Sequence, residues 1–121
     1  MTRRDPAVAL RQMRDFAAET VDLAAGRTRA GLDSDCTLFL ALTRLVELVG
    51  EASTRVDDDS RARLSGVPWR AIKETRNRLI HAYDDIDPDV LWQIVTVDPP
   101  ELIRMLDGAW APIERSTFGV A

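Results

Sequence analysis
The chain has 121 residues, 45% of them hydrophobic and 30% charged, which is enough for one soluble globular domain with its own core and no covalent staples. A net charge of −4 and a pI near 4.9 argue against non-specific coating of nucleic acid, which needs clustered Lys and Arg. A single cysteine, Cys36, and a single histidine, His81, exclude an internal disulfide, a cysteine-rich metal site and the usual zinc sites.

No apolar run approaches the roughly 20 residues that span a bilayer. With one cysteine, the expected location is the reducing cytoplasm. The average charge hides a polarity. Arg61, Arg63, Arg70, Lys73, Arg76 and Arg78 face one acid, Glu74, before His81, and Asp84, Asp85, Asp87 and Asp89 follow it. Such a patch can hold an anion on an acidic protein, or it can be a solvated helix face beside an acidic cap.

Taken in order, Asp5-Pro6 pairs an N-cap with proline at the first helical position. Leu10, Met13, Phe16, Ala17, Val21, Leu23 and Ala24 then recur at helical spacing to about Ala25. Gly26 to Gly31 reads as a loop. A cap at 33–35 opens a long helix over Thr37–Val56. Its apolar residues, from Leu38 to Val56, cover more than half its circumference, so it should be buried nearly all round. In a small bundle a helix usually keeps one solvent face, so this one is either central or shared with a second subunit, and a homodimer is expected. The polar stripe of this helix is Arg44, Glu47, Glu51 and Arg55. It is either an exposed seam held by Arg44–Glu47 and Glu51–Arg55 pairs, or Glu51 orients an arginine of the basic patch.

Asp57 to Ser60 caps a short turn through Leu64. Val67-Pro68-Trp69 opens the next helix, whose core stripe of Trp69, Ile72, Leu79, Ile80 and Tyr83 includes Arg76. An arginine in an apolar stripe needs a partner, and Glu51 is the intrachain candidate. Asp87-Pro88 opens a fifth helix. Asp98-Pro99-Pro100-Glu101 looks like the cap of a sixth that buries Leu102, Met105, Leu106, Ala109 and Ile113, with a kink or early stop at Pro112. No strand pattern, repeat or linker is present. The expected fold is all-α, an up-and-down bundle of about four to six helices, in one domain over 1–121 with its core at about 8–115.

No Gly-rich phosphate loop and no nucleophile elbow is present. What remains is Arg76, Asn77, Arg78, His81 and Tyr83 on one helix, the last two being the sole histidine and tyrosine. Histidine titrates near neutrality, and arginine forks onto phosphate. Together they suit RNA cleavage, where the nucleophile is the substrate's own 2′-hydroxyl. His81 could move the proton and Arg76 could offset the charge on phosphorus. Five helical residues, however, turn through about 500°, so Arg76 and His81 point roughly 140° apart and about 7.5 Å along the axis. The pair makes more sense as half of a site shared by two copies.

The ordered set Pro68-Trp69, Arg76-Asn77-x-x-Ile80-His81-x-Tyr83, Ile86-Asp87 and Val90-Leu91-Trp92-x-Ile94 resembles the HEPN-domain HepT-like toxin family, partners of minimal nucleotidyltransferase antitoxins. Gly50-Glu51-Ala52 matches that family's Gly-Glu-Ala signature, and the likeness covers about residues 8–110. One departure is Glu74-Thr75, where Gly-Met is common. The resemblance implies a dimerising helical bundle with a metal-independent endoribonuclease site in the dimer cleft. Arg76 and His81 would be its catalytic pair, and Asn77 the polar neighbour, with no cofactor. It also implies that the cognate antitoxin adenylylates Tyr83 and so silences the toxin. Two further readings stand beside this one. The protein could be a non-catalytic module that docks a nucleotidyltransferase and binds nucleotide or RNA phosphate through Arg76. Alternatively, His81 could simply complement the helix C-terminus while Tyr83 fills the core edge.

Overall fold
The computed structural model describes residues 7–82 and 85–117, with side chains through residue 108; Tyr83 and Asp84 lie outside the described residues. Those residues form six helices and no strand: α1 (Ala7–Ala24), α2 (Gly31–Ser34), α3 (Cys36–Thr54), α4 (Asp58–Arg63), α5 (Trp69–His81) and α6 (Pro88–Thr117). The all-α bundle is as expected. Among the described residues no helix is long and apolar enough to cross a membrane.

α1 stops where Gly26 adopts φ 73°, a left-handed conformation open to glycine at little steric cost. The expected loop through Gly31 is shorter than read. Leu32 sinks into the core at 4% exposure and draws 31–34 into the one-turn α2. α3 starts as expected, with the Asp35 carboxylate accepting from Leu38 N at 3.0 Å.

The core has two parts, and α3 contributes to both. Val49 and Ala52 join Leu10, Met13 and Ala17 of α1, Leu64, Val67, and Leu102 and Leu106 of α6. Leu38, Leu42 and Val46 join Leu32, Leu79, Leu91 and Val95. Each fully buried Leu contributes about 1.5–3 kcal/mol of transfer free energy. Buried hydroxyls bond back to their own helices, Thr20 to Phe16 O at 2.7 Å and Thr43 to Phe39 O at 2.8 Å, so they leave no unpaired donor. α1 packs on α3 and α6, whereas α5 rests chiefly on α3. One chain does not cover α3 all round: Leu40 stays 61% exposed.

The expected break between a fifth and a sixth helix is absent, because α6 runs unbroken from Pro88 to Thr117, past Pro112. Asp98 is therefore a mid-helix residue and caps nothing. Pro99 and Pro100 cannot donate to the carbonyls of Val95 and Thr96, yet the helix is anchored on both sides of them. Leu91 and Val95 are buried before, Leu102 and Leu106 after, and this packing overrides the local preference. Thr96 Oγ1 also donates to Trp92 O at 2.9 Å. The start of α6 is as read, with Asp89 N donating to the Asp87 carboxylate at 2.9 Å.

Candidate active site
α5 carries the residues singled out by chemistry. Of its thirteen residues only Leu79 is fully buried, so α5 lies on the bundle as a one-sided, mostly polar helix. Its first turn is fastened. Trp69 Nε1 donates to Leu64 O at 3.1 Å, and the Arg61 guanidinium sits 5.9 Å from the Trp69 ring centroid. Arg61 Nη2 also donates to Ser53 O at 3.0 Å, at the C-terminal end of α3 where a cation is favoured. Pro68 sits at the N-cap position of α5.

Arg76 is half-buried against α3 at Gly50. A Cβ built on Gly50 would lie 2.3 Å from Arg76 Cβ and 2.8 Å from its Cγ, so the arginine stem crosses bare backbone. Ser53 Oγ donates to Gly50 O at 2.6 Å on the same turn. Nε of Arg76 is buried with no partner among the described residues, and Nη1 reaches Asn77 Oδ1 only at 3.4 Å.

Glu51 does not supply the expected partner. Its carboxylate, like that of Glu47, takes Arg44 Nη1 at 3.2 Å. The hydrogen bond to Glu47 and the charge of Glu51 hold the Arg44 pKa above its ordinary value. The Glu51–Arg55 pair is also replaced, since Arg55 reaches across to Gln12 Oε1 at 2.8 Å. The physical reason is reach. The Glu51 side chain lies along the outer stripe of α3 with Arg44, while Arg76 comes down on the Gly50 face.

His81 is exposed on the other side of α5. With Arg78 it lines a hollow of about 380 Å³ whose floor includes Leu79, Ile86, Val90 and Ile94 and whose rim carries Asp85 and Asp87. Arg76 does not line this hollow. A second, smaller hollow of about 130 Å³ lies between α3, α5 and α6, meeting the first at Thr75 and Ile94. Asp98 stands at its edge, where burial raises the carboxyl pKa. Among the described residues no three His, Cys, Asp or Glu side chains gather as a metal site would require.

One chain thus brings His81 and Arg78 to one hollow that Arg76 does not line, as the roughly 140° between Arg76 and His81 around the helix required. Tyr83 falls outside the described residues. Two contributors escaped the residue-by-residue reading. Gly50 was marked only by its signature tripeptide, and Arg61 only as one charge of a patch. A glycine inside a long apolar helix was the available signal for the first. For Arg61, whose contacts span three elements, the sequence carries none.

The Ribonuclease HepT-like family model matches residues 7–108. A Methanocaldococcus jannaschii protein named as a candidate RNase, MJ1380, is 30% identical over 107 residues, which are 88% of this chain and 98% of that protein. A Thermococcus cleftensis protein named as a probable ribonuclease HepT is 40% identical over 62 residues, 51% of this chain and 56% of that protein. A second M. jannaschii candidate RNase, MJ0127, is 25% identical over 114 residues, 94% of each chain. No solved structure matches. A matched span that takes in the Gly50 turn, the Arg61–Trp69 clamp and all of α5 leaves one conclusion: the chain belongs to the HepT-like ribonuclease family.

Proposed function
We propose that two copies of this chain form a metal-independent endoribonuclease site in which Arg76 and His81 act from different copies. The observation that carries this reading is the state of Arg76: fixed by its stem, half-buried, and holding donors that no carboxylate uses among the described residues. A guanidinium left in that condition suits a phosphate, which accepts two parallel N–H bonds. The exposed apolar Leu40 on α3 favours a second copy covering that face.

In the proposed reaction one His81 takes the proton of the RNA 2′-hydroxyl, and the 2′-oxygen attacks the adjacent phosphorus. The P–O5′ bond breaks, and the same His81 returns that proton to the departing 5′-oxygen. Arg76 binds the non-bridging oxygens as their charge grows. Asn77 steadies the guanidinium, and Arg78 holds a neighbouring phosphate. Tyr83 is the off-switch: its phenol oxygen attacks the α-phosphorus of ATP held by a nucleotidyltransferase antitoxin, pyrophosphate leaves, and the attached AMP crowds the cleft and occupies its arginines.

The test is cleavage of a defined RNA by purified protein in excess EDTA, with the product ends identified. The expected products carry 2′,3′-cyclic phosphate and 5′-hydroxyl ends. A requirement for added divalent metal, or 5′-phosphate products, would sink the mechanism. For the switch, intact mass of wild type and Tyr83→Phe after incubation with partner and ATP should show a gain of one AMP in the wild type alone.

A further inference from the structure
We propose that Gly50 is a positioning residue for Arg76: its missing side chain sets the height at which the arginine crosses α3 and so where the guanidinium is delivered. This rests on the reading of Arg76 as the phosphate-binding residue.

Gly50 lies inside α3, three turns or more past its start, and its φ is not positive. Its backbone conformation is therefore open to any residue, and glycine there only weakens the helix. The compensating gain is space. A Cβ at this position would meet Arg76 at Cβ (2.3 Å), Cγ (2.8 Å) and Cδ (3.2 Å). These are not the far end of a flexible chain that can swing aside. The Cβ belongs to the α5 scaffold itself, so α5 would have to rise by about 1.2–1.7 Å to restore a normal carbon–carbon separation.

The surrounding bonds fix the same crossing from both sides. Ser53 Oγ holds the Gly50 carbonyl at 2.6 Å. Arg61 grips Ser53 O at 3.0 Å while its guanidinium stacks near Trp69, two turns before Arg76 on α5. The stem thus lies flat over Gly50, and its buried Nε has no acceptor among the described residues. A head group delivered this way is preorganised. Catalytic groups displaced by about 1 Å can lose about 100-fold in rate.

The experiment compares wild type, Gly50→Ala, Arg76→Gly, the double variant and Leu106→Ala, a core control away from Arg76. It measures thermal midpoints, together with kcat and KM on one RNA at a temperature where the variants are folded. The expected result is a kcat for Gly50→Ala lowered about 100-fold with KM within about threefold, while Leu106→Ala keeps its kcat despite a lower midpoint. Gly50→Ala should lower the midpoint when Arg76 is present and raise it in the Arg76→Gly background, where the stem is gone. If Gly50→Ala alone does not fold, a folded double variant supports the contact and an unfolded one overturns it. Equal thermal losses in both backgrounds overturn it as well. Wild-type kcat in Gly50→Ala beside an inactive Arg76→Gly overturns the positioning role alone. Wild-type cleavage by Arg76→Gly overturns both that role and the active-site reading beneath it.

Discussion
The two ends of α5 are held in opposite ways. From Trp69 to Arg76 the helix is tied down by the Trp69–Leu64 bond, the Arg61 bridge to Ser53, and the Arg76 stem on Gly50. Its second half has one buried anchor, Leu79, and ends in exposed Arg78 and His81 beside an open hollow. A single chain therefore places its arginine firmly and leaves its histidine at the surface. On the proposed reading, the difference teaches that one chain positions its phosphate-binding arginine by itself and leaves its proton-transferring histidine to be completed by a second copy.

The largest expected effect comes from removing that surface group. His81→Ala should lower RNA cleavage by about 100- to 10,000-fold, the usual contribution of a general acid or base, with stability changed by less than about 0.5 kcal/mol because the side chain is exposed. Chemical denaturation and a cleavage assay on the same sample check both numbers. A large loss of stability would mean that this end of α5 is not the free one.

Leu79→Ala is the next in size and should destabilise the fold by about 2–5 kcal/mol. Amide exchange should accelerate first in the second half of α5, with the Trp69 end still protected. Uniform acceleration along α5 would erase the contrast between its ends. Arg61→Ala should cost about 1.5–3 kcal/mol, the range for a hydrogen bond from a charged group. Below the melting transition its KM should move less than its stability.

The smallest effects lie on α6, where two aspartates should respond to pH with opposite signs. Asp107 accepts from Arg14 at 2.6 Å, and that bond holds its pKa below the ordinary value. Its contribution is present above the unfolded pKa and is lost as pH falls through the folded one. Burial raises Asp98 instead, so its protonated form is the one the fold favours, and the contribution is lost as pH rises through the folded pKa. At pH 7 Asp107→Asn should lower the melting temperature slightly and Asp98→Asn should raise it slightly. The Asp98 difference should vanish below roughly pH 4, and that of Asp107 should persist to lower pH. Both sites meet solvent, so added salt should shrink the Asp107 effect.

Much of this architecture is legible in the residues because local chemistry and burial agree. Asp35 and Asp87 cap the helices they were expected to cap, and the apolar spacing of α1 and α3 marks their buried faces. The Asp98-Pro99-Pro100 stretch misleads because its turn chemistry is real but weaker than the burial of Leu91, Val95, Leu102 and Leu106 on either side. Glu51 misleads differently: the need of Arg76 for a partner is visible in the sequence, but the direction of a side chain on α3 is not. The angular separation of Arg76 and His81 was legible because it follows from helix geometry alone. The Gly50 contact was not, since helix crossings are set by packing between segments far apart in the chain.

The central claim, a site built from Arg76 of one copy and His81 of another, is tested most directly by subunit mixing. Arg76→Ala and His81→Ala chains carrying different tags are co-expressed, and the mixed dimer is isolated and assayed on RNA beside each parent dimer. Each parent should be inactive, and the mixed dimer should regain a substantial fraction of wild-type cleavage because one of its two sites has both groups. A stable mixed dimer as inactive as its parents would contradict a shared site.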